Sequence, residues 1–200
     1  MSACSAAARP TRWPRSRLHN EQIVKLFFAG GGTGGHLYPG VAIARAVVRL
    51  RPAASPFFIG ARRGIERDVL PTTEFPHELL NLHPLYRRRF WENWRTIAGA
   101  IGSWRRLGAL AREHQPRVVV GTGGYASALA LQYAAMHGIP YVLEEQNSYP
   151  GLTMRFFARR AREIYLGYPE AQRHMRPGAR TTVIDSGNPI EPPPNPRPHP

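Results

Sequence analysis

Ile23-Val24-Lys25-Leu26-Phe27-Phe28-Ala29 runs directly into Gly30-Gly31-Gly32-Thr33-Gly34-Gly35-His36, and the reading of this join decides the fold. The first segment is a short apolar run rich in β-branched and aromatic residues, the pattern of a strand buried on both faces. The second sets five glycines around one threonine and closes on a histidine. Then comes Pro39-Gly40-Val41-Ala42-Ile43-Ala44-Arg45-Ala46-Val47-Val48, which has helical spacing and a proline near its expected start, where the missing N–H costs little. The unit is strand, glycine turn, helix. Glycine admits positive φ and lets backbone N–H groups approach a ligand, while a helix start adds partial positive charge. An anionic group such as a diphosphate is the expected guest.

Gly30, Gly32 and Gly35 also satisfy the G-x-G-x-x-G pattern of dinucleotide sites, which alone is a weak signal. A nicotinamide enzyme calls for an acidic residue after the second strand to hold the ribose. Here Phe57-Phe58-Ile59 leads into Gly60-Ala61-Arg62-Arg63, which fits only an NADP reading. No Lys-Ser or Lys-Thr pair follows the glycines, so the Walker pattern fails.

The alternation continues along the chain. Strands are predicted near 57–59, 79–82, 117–120, 141–143, 164–166 and 182–184, and helices near 91–113, 125–136 and 152–161. The fold class that follows is α/β, a Rossmann-like parallel sheet with helices on both faces. Ligands in such sheets sit at the C-terminal strand ends. Those ends carry Gly30 to His36, Gly121-Thr122-Gly123-Gly124-Tyr125-Ala126-Ser127, Glu144-Glu145-Gln146-Asn147 and Ser186-Gly187-Asn188-Pro189. Four polar or glycine-rich loops on one rim make a candidate site.

Composition sets the outer limits. Two hundred residues with 42% apolar content support one domain with tails. Residues 1–21 are rich in Ala, Ser, Arg and Pro and lack the unbroken apolar stretch of a signal peptide, so they read as a disordered extension. The expected domain spans 22–190. Residues 191–200 carry six prolines and read as a linker or frayed end. No window approaches the roughly 18 to 20 apolar residues of a membrane-spanning helix. The single Cys4 excludes a disulfide framework, and the scattered histidines predict no metal site. The net charge of +14 rests almost wholly on arginine, Lys25 being the only lysine. No basic-helix, RNA-recognition or zinc motif accompanies that charge, so nucleic acid is not the expected partner.

Taken together, Gly31-Gly32-Thr33-Gly34-Gly35-His36, the 121–127 loop, Gly138-Ile139-Pro140, Glu145-Gln146-Asn147 and Gly187-Asn188-Pro189 come in the order and at about the spacing of one family. Over about residues 22–190 the chain resembles the N-terminal half of the MurG family of glycosyltransferases, family 28. The resemblance implies one half of a GT-B fold, with the C-terminal donor-binding domain absent. It implies an inverting transferase that needs no metal or cofactor. Such an enzyme moves N-acetylglucosamine from UDP-N-acetylglucosamine to lipid I, the undecaprenyl-diphosphate-linked muramoyl-pentapeptide, giving lipid II for peptidoglycan. It further implies a peripheral protein on the cytoplasmic face of the bacterial inner membrane; the alternative is a non-catalytic membrane-anchoring or acceptor-binding subunit of a split GT-B transferase that meets a separate donor-binding half, or an inactive truncated product.

By the same resemblance Thr33, Gly34, Gly35 and Asn147 touch the donor, while Gly32, Gly123, Gly124, Tyr125 and Ser127 hold the acceptor's diphosphate. His36 and Glu145 are the candidates for proton handling, because the attacking hydroxyl must lose its proton and a histidine titrates in the right range. Simpler roles stay open: His36 as a cap or sugar ligand, Glu145 as an acceptor of loop N–H bonds, Tyr125 as a packed ring. Three departures stand out. Glu144 replaces the family's usual histidine, Glu191 its usual arginine, and 82–89 its usual glycine-rich stretch.

Residues 85–112 interleave Tyr86, Phe90, Trp91, Trp94, Ile97, Ile101, Trp104, Leu107 and Leu110 with Arg87, Arg88, Arg89, Arg95, Arg105, Arg106 and Arg112. The spacing defines one helical stripe, which reads either as a core-facing helix with a basic edge or as a patch for an anionic membrane surface.

Overall fold

A computed structural model describes residues 23–82 and 93–190, with side chains between 93 and 98 left aside. The expectations for 1–21, 191–200, Tyr86 to Trp91, and the side chains of Trp94, Arg95 and Ile97 lie outside the described residues.

Seven parallel strands form one sheet in the order β3-β2-β1-β4-β5-β6-β7. They are β1 (Val24–Gly30), β2 (Ala54–Ala61), β3 (His77–Leu80), β4 (Val118–Gly123), β5 (Tyr141–Glu145), β6 (Glu163–Leu166) and β7 (Thr182–Asp185). The helices are α1 (Gly34–Leu50), α2 (Glu66–Val69), α3 (Asn93–His114), α4 (Gly124–His137) and α5 (Leu152–Phe157). The strand order reverses direction between β1 and β4. At such a switch point the loops leaving the two strands diverge to opposite faces and open a crevice.

Both faces are covered, as the alternation requires. In β1, Phe27 and Ala29 join the core under α3, α4 and α5, while Phe28 points to the core under α1 and α2. β2 repeats the division in register, Phe27 opposite Phe57 and Phe28 opposite Phe58. The ring centroids of Phe28 and Phe58 are 5.2 Å apart and stacked, those of Phe27 and Phe57 5.5 Å apart and tilted. Strands buried on both sides need apolar residues at every position, so they read as runs and not as alternations.

α4 packs close because its sheet-facing residues Ala126, Ala130 and Ala134 recur every four positions and are small. It ends at Gly138, whose left-handed φ of 68° lets its N–H bond the Ala134 carbonyl. In α1 the buried positions Leu37, Gly40, Val41 and Ala44 follow the spacing of three and four. The helix starts five residues earlier than the proline suggests, so Pro39 lies inside it and not at its first position. The glycine turn itself winds into the helix, which sequence spacing alone did not reveal. In the described part of α3, Leu107 and Leu110 are core and Trp104 packs on Tyr133 at 5.2 Å. Arg106 is tied to Glu78 at 2.7 Å, and Ile101 is 54% exposed. The stripe is therefore core-facing from Trp104 onward.

Leu131, fully buried on α4, has its side chain over Gly121 of β4, where an added Cβ would stand 2.8 Å from it. Leu131→Ala is expected to destabilise the chain by about 2–5 kcal/mol in urea denaturation. A loss below about 1 kcal/mol would mean that α4 is not seated as described.

Candidate functional site

The rim is built by the segments that leave β1, β4, β5 and β7. The first turn carries two residues with positive φ, Gly31 at 158° and Gly32 at 89°, and the second carries Gly123 at 106° and Gly124 at 76°. The two turns touch through their backbones. Gly31 N–H donates to the Gly123 carbonyl at 3.3 Å, and a Cβ on Gly124 would overlap the Gly31 carbonyl. Thr122 adds a cross-tie, its hydroxyl donating to the His36 carbonyl at 2.6 Å. These glycines are needed for close approach as well as for φ.

His36 stands in the first turn of α1, between both loops. Its Nδ1 is 2.9 Å from the Thr33 hydroxyl, and a Cβ on Gly123 would lie 2.5 Å from its Cδ2. Burial pushes its proton affinity below the ordinary histidine value, while the carboxylates of Glu145 and Glu66 oppose that shift. Burial thus favours the neutral imidazole, with Thr33 as partner for Nδ1.

Thr33, Gly34 and Gly35 open α1, where the first amides have no partner within the helix. Gly34, Gly35 and Asn147 line one open cleft of about 960 Å³, together with Gln146, Tyr168 and Asn188. Three of the four sequence-predicted donor residues are therefore brought together, Thr33 is not among the cleft's lining, and Asn188 joins them from the loop after β7. Tyr125 lies with its ring against Gly32, where a Cβ would stand 2.9 Å from Cε1.

Three of the proposed site residues turn inward. Glu145 is 2% exposed, and its carboxylate accepts the Asn147 N–H at 3.0 Å, the Asn147 amide at 2.9 Å and the Gly151 N–H at 3.1 Å. It shapes the loop that presents Asn147. Ser127 is fully buried, and its hydroxyl donates to the Gly124 carbonyl at 2.9 Å, behind the turn and away from its open side. The Gly32 N–H is taken at 3.0 Å by Glu66, a buried residue of α2 that no motif singled out. Glu66 comes from the β2–β3 connection, 34 residues away, and only the glycines at 60 and 64 around it give any signal.

Glu144 ends the opposite face of β5 and is 3% exposed. Its carboxylate accepts from the Gln146 amide, which also reaches the Thr122 carbonyl at 2.8 Å. The other oxygen has no partner among the described residues. Burial drives its pKa up to about 7, the Gln146 bond opposing and neighbouring Glu145 adding to the rise.

A doubly wound parallel sheet with paired glycine turns at its switch point is the architecture of a domain that handles nucleotides or diphosphates. The chain belongs to a particular family of these, glycosyltransferase family 28, whose N-terminal domain profile matches residues 26–166. It is 39% identical over 172 residues to a curated relative from Moorella thermoacetica, the UDP-N-acetylglucosamine--N-acetylmuramyl-(pentapeptide) pyrophosphoryl-undecaprenol N-acetylglucosamine transferase. A relative of the same name from Syntrophotalea carbinolica is 42% identical over 168 residues. The alignments take in 84% of this chain but only 45% and 46% of those proteins, so the chain spans about half the length of the curated relatives it matches. The fold is that of MurG from Acinetobacter baumannii, with a TM-score of 0.63 at 19% identity over 80% of this chain and 45% of that one.

Glu144 gives a test of the buried rim. The folded chain keeps a proton there up to about pH 7, the unfolded chain only to about 4.5, so stability falls as pH rises through that window. Glu144→Gln is expected to stabilise the chain at pH 8 by on the order of 3 kcal/mol and to change little at pH 4, as read from thermal melts. Equal effects at both pH values would show that Glu144 is not held in its neutral form.

Proposed function

We propose that this chain is the acceptor-facing N-terminal half of a transferase that moves N-acetylglucosamine from its UDP carrier to lipid I, yielding lipid II and UDP. The observation that carries the reading is His36, held by Thr33 and packed against Gly123, at the point where the two glycine turns meet. The relatives' names supply the substrates, and the cleft lined by Gly34, Gly35 and Asn147 supplies a place for the donor sugar. A second, donor-binding half, on the same polypeptide or a separate one, completes that cleft.

In this reading the muramoyl hydroxyl attacks the anomeric carbon from the face opposite the diphosphate. The new C–O bond forms as the bond to UDP breaks, and the configuration inverts. The tautomer that gives Nδ1–H to the Thr33 hydroxyl leaves His36 Nε2 as the acceptor for the hydroxyl proton. Glu145 does not exchange protons with substrate; it holds Asn147 and Gly151 in place. The amides that open α4 face the acceptor's diphosphate, with Gly123, Gly124 and Tyr125 shaping the approach, and Ser127 braces the turn from within.

The test is transfer of labelled N-acetylglucosamine to a lipid I analogue by the chain combined with a donor-binding C-terminal half. His36→Gln is expected to lower the rate roughly a hundred- to ten-thousandfold. The acid limb of the wild-type pH profile should fall below the ordinary histidine value, since burial lowers the His36 pKa. Absence of lipid I binding by the wild-type chain, or full activity in the variant, would refute the assignment.

The same reading places the protein on the cytoplasmic face of the inner membrane. No helix among the described residues is long and apolar enough to cross a bilayer. What supports a surface attachment is the α5 region, where Phe156 is 74% and Leu152 59% exposed beside exposed Arg159 and Arg160. Phe156→Asp combined with Leu152→Asp is expected to weaken binding to anionic vesicles at least about tenfold, and salt should weaken the wild type. Vesicle binding indifferent to both changes would rule this face out.

A further inference from the structure

Glu66 is a buried carboxylate that the transfer chemistry leaves unexplained. It is 0% exposed at the start of α2. Oε1 accepts the Gly32 N–H at 3.0 Å and the Ala61 N–H at 3.3 Å, and Oε2 is buried without a partner among the described residues. The adjacent Arg67 turns outward to Asp68 at 3.0 Å, and Arg62 donates to the Leu79 carbonyl at 3.0 Å. Neither arginine is the cation that a buried carboxylate would ordinarily require.

The surrounding chain is cut to fit this group. A Cβ on Gly31 or Gly64 would overlap the carboxylate, and one on Gly60 would stand 2.9 Å from the Glu66 Cβ. Three glycines from the first turn, from β2 and from its following bend thus clear the space that one carboxylate fills. An apolar side chain in that pocket would leave the Gly32 and Ala61 N–H groups without their acceptor. A carboxylate kept there in contact with the ligand-binding turn calls for a role in that turn.

We propose that Glu66 is a positioning residue of the transferase site, the internal carboxylate that holds the first glycine turn by its Gly32 amide and, together with Glu145, acts on the His36 ring. The inference rests on the reading of His36 as base. It also redefines the first turn's capacity for ligands: the Gly32 N–H is already given to an internal carboxylate, so within that turn a bound phosphate is left with the amides that open α1, while those that open α4 remain for the acceptor's diphosphate. The groups acting on the His36 ring are Glu66 from α2, Glu145 from the end of β5, and the Thr33 hydroxyl from its own turn. Tyr125 from the start of α4 lies against Gly32 beside it. Both carboxylates favour the protonated ring and work against its burial.

The experiment is a pH titration of the whole chain by NMR, with no substrate and no donor half. In the wild type the Gly32 and Ala61 amide protons are expected well downfield and slow to exchange, as donors to one buried carboxylate, and Glu66→Gln should move both. In the same variant the titration midpoint of the His36 ring should move to lower pH. Gly64→Ala is the second variant: it keeps the carboxylate but crowds it, and should move both amides together. Gly32 and Ala61 amides with ordinary shifts and fast exchange in the wild type overturn the proposal even if neither variant folds. An unchanged His36 midpoint in folded Glu66→Gln overturns it as well. Because no transfer is measured, loss of the transferase reading would show separately, as a chain with the Glu66 coupling intact and no lipid I activity.

Discussion

Two glycine turns meeting backbone to backbone are the constraint on which the rest of the site depends. The Gly31 N–H reaches the Gly123 carbonyl, and the space between the turns leaves no room for a Cβ on Gly124. This contact spans the switch point of the sheet, between β1 and β4. It brings the start of α1 and the start of α4 side by side, so the first-turn amides and partial positive charge of two helices face one crevice. Thr122 locks the arrangement through the His36 carbonyl, and the His36 ring is thereby held against Gly123.

The electrostatics of the crevice run against the charge of the chain. A protein with a formal charge of +14 lines the underside of this rim with Glu66, Glu144 and Glu145, all buried. Each answers a different need. Glu145 organises the loop that carries Asn147, Glu66 grips the first glycine turn, and Glu144 sits at the foot of the Gln146 amide with its proton affinity raised by burial. Backbone N–H groups that point into a protein must be satisfied, and a carboxylate with several acceptor sites does this in little space. Among the described residues the arginines lie at or near the surface, where Arg45 meets Glu74 and Arg106 meets Glu78.

Much of this was legible in the residues. The apolar runs at 24–30, 118–123 and 141–145 are strands because a sheet covered on both faces excludes water from every position, and the alternation of runs with helical spacing fixes a parallel sheet. The rim loops were legible because their residue types are improbable in any other place. Less legible were the element starts, since the glycines that form the first turn of α1 carry no periodicity, and Pro39 read as a beginning. The stripe on α3 was open to two readings because spacing reports a face and not what covers it; Trp104 against Tyr133 settles that part of it as core.

The sequence by itself determined the fold class, the order of the strands along the chain and which loops gather at the site, because those follow from local periodicity, from glycine and from the chirality of strand–helix–strand crossovers. Only the tertiary structure decided what each polar group at the rim does. Ser127 and Glu145 share motifs with exposed site residues yet bond inward, and Glu66 lies 34 positions from the amide it holds. Hydrogen-bond partners are chosen by proximity in space, and a turn lined with glycines records in sequence that something approaches closely without recording what.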